Sequence, residues 1–512
     1  MGSAIRNLAG TLDHIATGFL FLFVLVQPVS IAATHIAYAS AAFVWILRLA
    51  MVRKGTLHSS PLDLPLLIYL LLCAVSATRS PLPASSWEGM RKVNLIFLVL
   101  VVAHNILSLR RAKQLVATLL LAGLVTVMYV GWEYIAGIGL RVREPRVDSP
   151  FYQAGVRDND VLLRVDGQGI RRPQEFLRHL RAKPPDEPLR LRVVHGGGIA
   201  IFKDSVLVVM PANVLPRPNN VDELGLRIEP ARPSRARGFY SHYLSYSEVL
   251  GLLTTVAFGL WLACRHRRSA LRLGFLALWI AFAIALGATL SRAAWLTTTL
   301  GCLLQVWFHV RRWSVRVVLP ALLLLAAAGT NVAMHKWRGL GLIDPSDPGT
   351  DYRLMMWRDG LRLIKEHPWF GVGMHTIRDS SWRFDLAAFK KYGLRSHFHS
   401  TPIQLAVELG LPALIAWFAL MGVYWVLLVR LVARAQQQAD PALYGLVLGV
   451  LGGTGGFLAS SLVHYNFGDS IAVMLFWFLA GVAVAVRRHI GAVAPSWLPA
   501  RRPQAEYSSR ES

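Results

Sequence analysis

The chain has 512 residues, of which 54% are hydrophobic and only 16% charged, and its mean hydropathy is +0.44. That balance excludes a disordered chain, a collagen-like chain and an ordinary soluble enzyme, and it fits a protein that crosses a membrane many times. The net charge of +25 would suggest nucleic acid in a soluble protein. In a membrane protein Lys and Arg gather in cytoplasmic loops, so no nucleic-acid partner is expected; anionic membrane lipids and an anionic lipid-linked substrate remain.

Sixteen Trp and 14 Tyr supply the amphipathic rings that favour bilayer interfaces. Cys73, Cys264 and Cys302 lie in or at the ends of apolar runs, so no disulfide framework is expected. The first apolar run lacks a basic flank and a small-residue cleavage site, and no cleavable signal peptide is expected.

Positions 14–47 contain no Asp, Glu, Lys or Arg. As one helix they would reach about 51 Å, well beyond a hydrocarbon core of about 30 Å, so the sequence predicts two spans broken near Gln27-Pro28-Val29-Ser30. Further apolar runs follow at 62–78, 90–107, 114–136, 244–264, 271–290, 293–310, 317–334, 403–429, 442–463 and 469–486, giving twelve spans. Basic clusters at Arg48/Arg53/Lys54, Arg110/Arg111/Lys113, Arg265/Arg267/Arg268, Arg311/Arg312/Arg316, Arg430/Arg434 and Arg487/Arg488 all fall on the cytoplasmic side when the N-terminus is inside. Both termini are then cytoplasmic. The expected organisation is five spans in 1–136, a polar outer insert at 137–243, four spans in 244–334, a second outer loop at 335–402, three spans in 403–486 and a cytoplasmic tail at 487–512.

Residues 141–238 hold 18 Lys/Arg and 12 Asp/Glu, far more polar than their flanks. Within them Ser149-Pro150, Ala154-Gly155-Val156, Asn159-Asp160-Val161, Val165 and Gly167 resemble the pattern of bacterial PDZ domains, with Asn159 where the pattern has Gly. Val161, Leu163 and Val165 alternate as a half-buried strand, and Asp166-Gly167 reads as a tight turn. A short helix is expected from Pro173 to Leu180 with Phe176 and Leu180 inward, and another strand through Leu189, Leu191 and Val193. The fold class expected is an all-α polytopic membrane protein of about twelve transmembrane helices, with a small α+β PDZ-like domain inserted in an outer loop. PDZ domains bind extended peptides by strand addition, so a peptide or protein partner is one reading of the insert and a scaffold or lid the other.

The second outer loop carries the polar constellation. Arg353 stands four residues before Trp357, Pro368-x-x-Gly371-x-Gly373 follows, and His399-Ser400-x-x-x-Gln404-x-x-x-Glu408-x-Gly410 leads into a span. Gln404 and Glu408 share one helix face, and a Glu at the mouth of an apolar span marks a functional candidate. Upstream, Ser291-Arg292-x-x-Trp295 sets a lone Arg where two spans meet outside, and Arg237-Gly238-Phe239-Tyr240-Ser241-His242-Tyr243 precedes another span. Together, in this order and on this side, the motifs resemble the O-antigen ligase and polymerase superfamily of bacterial inner-membrane glycosyltransferases. The resemblance covers most of the chain outside 137–235; Ser400 stands where the family often has Asn, and the insert is not a standard family part.

The resemblance implies a glycan donor on undecaprenyl diphosphate, a periplasmic site, and attack of a sugar hydroxyl on the anomeric carbon as the lipid diphosphate leaves. His399 is the candidate general base, because an imidazole titrates near working pH; His397 and His242 are alternatives in the same compartment. Glu408 is the second catalytic candidate, to orient His399 or hold an Arg. Arg292 and Arg353 are the diphosphate candidates, since guanidinium binds phosphate through a planar fork. Gln404, Arg237 and His242 complete the set. Tyr352, Trp357 and Trp369 read as interface anchors or sugar platforms.

No cofactor is expected and no metal: Asp344, Asp347 and Asp351 are spaced across Pro and Gly. Lipid A–core is the favoured acceptor, with polymerisation of O-antigen or exopolysaccharide on another lipid-linked glycan, or transfer to protein hydroxyls, as alternatives. An intramembrane protease is disfavoured because His-Glu-x-x-His and Gly-x-Ser-Gly are missing from the sequence. A transporter is disfavoured because the middles of the spans hold almost no ionisable residues.

Overall fold

The computed structural model describes residues 2–51, 58–184, 187–195, 203–208, 220–264, 269–310, 312–338, 348–379, 383–393 and 397–490. Arg53, Lys54, Arg265, Arg267, Arg268, Arg311, Asp344, Asp347 and the tail beyond 490 lie outside them.

The predicted break at 27–30 separates Gly2–Val26 from Ile31–Met51. Gln27 is buried there and its amide donates to the Ile471 carbonyl at 3.1 Å, so the break is tied to the last helix. Among the described residues eight helices are long and apolar enough to cross a membrane: the first two, then Leu109–Ala136, Tyr243–Ala263, Ala270–Ala288, Leu411–Gln437, Pro441–Ser460 and Ser470–Ile490. The other expected spans correspond to Asp63–Arg79, Arg292–His309, Trp313–Arg338 and a broken helix over 83–105.

Two spans differ from the expectation. The run at 90–107 is part of Pro83–Val93, a 3₁₀ turn at Asn94–Phe97, and Leu98–Asn105. The run at 403–429 is two helices, Thr401–Leu409 and Leu411–Gln437, separated by Gly410 at φ +85°. Gly ends the first helix in a conformation other residues disfavour, and Pro412 starts the second. The spanning helix therefore begins at Leu411, and the short helix before it belongs to the site described below.

The centre of the bundle is the helix Tyr243–Ala263, packed on Pro441–Ser460 and Arg292–His309. Glycines let these backbones touch: a Cβ on Gly259 would lie 2.5 Å from the Gly445 carbonyl oxygen, and one on Gly301 2.4 Å from that of Gly452. Small residues drive close helix contact where lipid removes the hydrophobic incentive. The outer helices turn Ile36, Phe43, Leu64 and Ile284 outward, the expected face toward acyl chains.

The polar insert is a six-stranded antiparallel sheet of β1 Gly139–Arg143, β2 Val161–Val165, β3 Gln168–Gly169, β4 Leu189–Val194, β5 Lys203–Val208 and β6 Arg227–Ala231, in the order β5-β4-β2-β1-β6 with β3 on β2. First and last strands pair from Gly139 with Ala231 to Arg143 with Arg227, so the insert leaves and rejoins the bundle at one place. The strand through Leu189, Leu191 and Val193 is as expected, and Phe176 and Leu177 of the helix Pro173–Ala182 are buried over the sheet with Leu180 packed beside them.

One strand differs. A register shift between Leu162 and Arg164 breaks the alternation of β2. Leu162 and Val165 enter the main core, while Val161 and Leu163 join a small cluster on the other face with Ile138, Val194 and Ala231. A bulge reverses which face a side chain takes. Asn159 at φ +64°, Asp166 at +48° and Gly167 at +83° occupy the left-handed region that the turn reading asks for. The Arg171 guanidinium lies 4.0 Å over the Trp132 ring of the helix beneath, and Phe239 stacks on Tyr129 at 4.1 Å.

Candidate functional site

Four segments meet at the sheet end of the bundle. Proline at 368 and glycines at 371 and 373 let one loop lie flat on the helix Thr401–Leu409. Val372 N–H donates to the Val407 carbonyl at 2.8 Å, Gly373 N–H to that of Glu408 at 2.8 Å, and Leu411 N–H to that of Pro368 at 2.7 Å. Gly371, at φ +64°, shows why no side chain fits: its Cβ would stand 2.5 Å from the Val407 oxygen. From the helix Asp63–Arg79, Ser76 donates to the Phe370 carbonyl at 2.7 Å. From the turn after it, Ser80 donates to that of Val372 at 3.1 Å. The glycine spacing thus fixes a backbone platform under the site.

Glu408 is buried in that platform. Its Oε1 accepts the His375 N–H at 2.9 Å, and the Gln404 side chain bonds to it as well. The carboxylate thus holds the loop at His375. Burial pushes its carboxyl up to about 7 from an ordinary 4.5. A carboxyl raised on folding contributes stability fully below its unfolded value and loses it as pH rises through the folded one. Glu408→Gln keeps an acceptor oxygen and never ionises. It is expected to exceed the native protein in stability at pH 8 by up to roughly 3 kcal/mol, with the gap closing below about pH 4.5. Thermal unfolding in detergent at both pH values checks this; a gap that ignores pH contradicts it.

Above the platform sits the segment 397–400. His399 has φ +49°, a strained conformation for a residue with a side chain. It is held through the residue before it. Phe398 N–H donates to Gln404 Oε1 at 2.9 Å, and the Trp357 indole N–H donates to the Phe398 carbonyl at 2.9 Å. Gln404 and Trp357 therefore set the direction of the two flanking imidazoles. The Tyr352 ring meets His399 edge-on at 5.7 Å, and His397 lies 4.3 Å from His399. Trp369 is exposed.

The turn 461–468 closes the other side. Thr401 N–H donates to the Ser461 carbonyl at 2.7 Å, and its hydroxyl donates to the His464 carbonyl at 3.1 Å. His397 contacts the Tyr465 ring at 5.5 Å. His464 itself bonds through Nδ1 to Glu248 Oε1 at 3.2 Å. His242 caps the helix Tyr243–Ala263, its Nδ1 accepting the Leu244 N–H at 3.1 Å.

The electrostatics of the cluster are dominated by burial. Burial, then His397, Arg353, His464 and His242, hold the His399 imidazole down to about 2. Burial, then His464, Lys92, His242 and Arg353, hold His397 down to about 4. Both rings are held toward the neutral form, and Arg353 acts on both as a standing positive charge.

Of the residues the sequence singled out, His399, His397, His242 and Arg353 come together, with Gln404 and Glu408 beneath. Asp351 is taken by Lys391 at 2.7 Å and Tyr392 at 2.6 Å, and Glu366 by Arg362 at 3.2 Å. Arg292 opens the helix Arg292–His309, and Arg237 stands in the segment whose Ala236 N–H donates to the Ala288 carbonyl at 2.8 Å. Those two arginines thus belong to adjoining chain segments; Arg237 also acts on Glu133. His464 and Glu248 escaped the sequence reading, because the residues that reveal them are 216 positions apart. Among the described residues no group of His, Cys, Asp and Glu has the form of a metal site.

Residues 276–418 match the family model described as O-Antigen ligase, a stretch that contains Arg292, Arg353, His399, Gln404 and Glu408. Residues 141–194 match the PDZ domain model. No curated protein matches the chain.

Proposed function

From a chain that carries an O-antigen ligase family domain and a PDZ domain in a multi-pass membrane bundle, we propose an enzyme of the bacterial inner membrane that moves a glycan from undecaprenyl diphosphate to a sugar hydroxyl of lipid A–core, with its site facing the periplasm. The observation that carries the reading is the buried pair His399 and His397, 4.3 Å apart and held toward their neutral forms by burial, with Arg353, His242 and His464 around them.

In this reading the diphosphate lies over the cluster, with Arg353 and Arg292 as its guanidinium partners. The acceptor oxygen attacks the anomeric carbon, its proton passes to His399, and the carbon–oxygen bond to the diphosphate breaks with its electron pair on the leaving group. Negative charge grows on the diphosphate as the guanidinium charges of Arg353 and Arg292 already stand in place, which is preorganised electrostatic stabilisation. Glu408 and Gln404 act as positioning residues, one through His375 and the other through Phe398. The PDZ domain, joined to the bundle through β1 and β6, recruits a peptide partner.

The test is transfer by purified protein in detergent from an undecaprenyl-diphosphate glycan, with lipid A–core present or omitted. Glycan on lipid A–core, undiminished by excess chelator, is the expected result. Longer lipid-linked glycans without lipid A–core would make the enzyme a polymerase, and activity lost to chelator would remove the metal-independent chemistry.

A further inference from the structure

Glu248 is a carboxylate in the second turn of the central helix Tyr243–Ala263, only 6% exposed. Its Oε1 accepts hydrogen bonds from the Ser460 hydroxyl and from His464 Nδ1. A buried carboxylate in a membrane helix is costly unless it is paired or at work. His464 is equally enclosed, at 6% exposure, and its backbone is laced to the segment two residues from His399 through Thr401. With Nδ1 on Glu248, His464 is also close enough to His397 and His399 to act on both electrostatically.

We propose that the proton released in each transfer comes to rest on His464, with Glu248 as its counter-charge. The inference rests on the transfer reading of this site. The acceptor O–H bond breaks, its oxygen bonds the anomeric carbon, and the leaving diphosphate keeps the electron pair of the broken carbon–oxygen bond. His399 takes the proton first. Burial and positive neighbours make His399 a poor place to keep it once the diphosphate departs. A carboxylate bonded to an imidazole stabilises the protonated ring, so the proton moves on to His464 and later to solvent, which returns His399 to the neutral form.

Glu248 bonds His464, which interacts electrostatically with His242 at the cap of the central helix and with His397 and His399 of the site segment; those groups in turn feel Asp469 and Arg235 at His242, and Arg353 and Lys92 at the site segment. Burial raises the Asp469 carboxyl, and Glu248 is the carboxylate in direct hydrogen-bond contact with the His464 ring.

The experiment measures kcat and donor KM between pH 5 and 9 for full-length protein in detergent, with an undecaprenyl-diphosphate glycan and lipid A–core. Glu248→Gln is expected to lose about ten- to hundredfold in kcat at pH 7 with donor KM nearly unchanged, and its acid limb moves to lower pH by about one unit or more. Ser460→Ala, which removes a competing hydrogen bond from the same carboxylate oxygen, moves the limb the opposite way. Opposite shifts cannot come from misfolding. Transfer with both limbs unmoved overturns the proton station alone; no transfer by the native protein overturns the transfer reading and this inference with it.

Discussion

Replacing His399 by alanine is expected to lower the transfer rate about 10²–10⁴-fold, the usual contribution of a positioned general base, while donor binding changes only a few-fold. The reasoning is local. Gln404 and Trp357 hold the backbone on the N-terminal side of His399, and the ring itself meets Tyr352 and His397 rather than forming part of the platform. Removing the ring therefore removes the proton acceptor and leaves the scaffold. A single-turnover rate beside a donor-binding isotherm separates the two effects. A loss confined to binding would make His399 a ligand for the donor instead of a base.

Arg353→Ala is expected to cost about 10²–10³ in kcat, the scale of deleting one preorganised group that meets developing charge. Arg353→Lys recovers only part of it, because an ammonium cannot make the two parallel bonds of a guanidinium. The carboxylates nearest in sequence, Asp351 and Glu366, bond to Lys391, Tyr392 and Arg362, so the substitution does not strip them of these partners. Full recovery by lysine would show that only net charge matters at this position.

Much of the architecture is legible in the sequence because membrane thickness limits what an apolar run can be. Positions 14–47 are too long for one span, and the chain breaks where Pro28 stands. The missed breaks have a shared cause. Around Gly410 and from Leu95 to Phe97 the side chains are apolar, so hydropathy continues while the backbone turns. Gly410 followed by Pro412 was the available signal, a helix stop next to a helix start. In β2 the alternation of Val161, Leu163 and Val165 was real in sequence and reversed in space by a single bulge.

The site divides in the same way. His399, Gln404 and Glu408 are close in sequence, and their spacing on one helix announces them. What they do is tertiary: Glu408 faces the His375 backbone because Gly371 and Gly373 bring that loop down onto the helix, and neither residue type nor spacing reveals that. Glu248 lies in the central helix and His464 in the turn 461–468, and only the packing of the central helix joins them.

The most direct test of the account is the structure of the protein in a lipid nanodisc with an undecaprenyl-diphosphate glycan bound. The account expects the diphosphate at the sheet end of the bundle, its oxygens within about 3 Å of the Arg353 guanidinium, with the His399 ring beside the anomeric carbon on the face opposite the leaving group. A diphosphate seated elsewhere, with His399 and Arg353 away from it, would contradict the central claim.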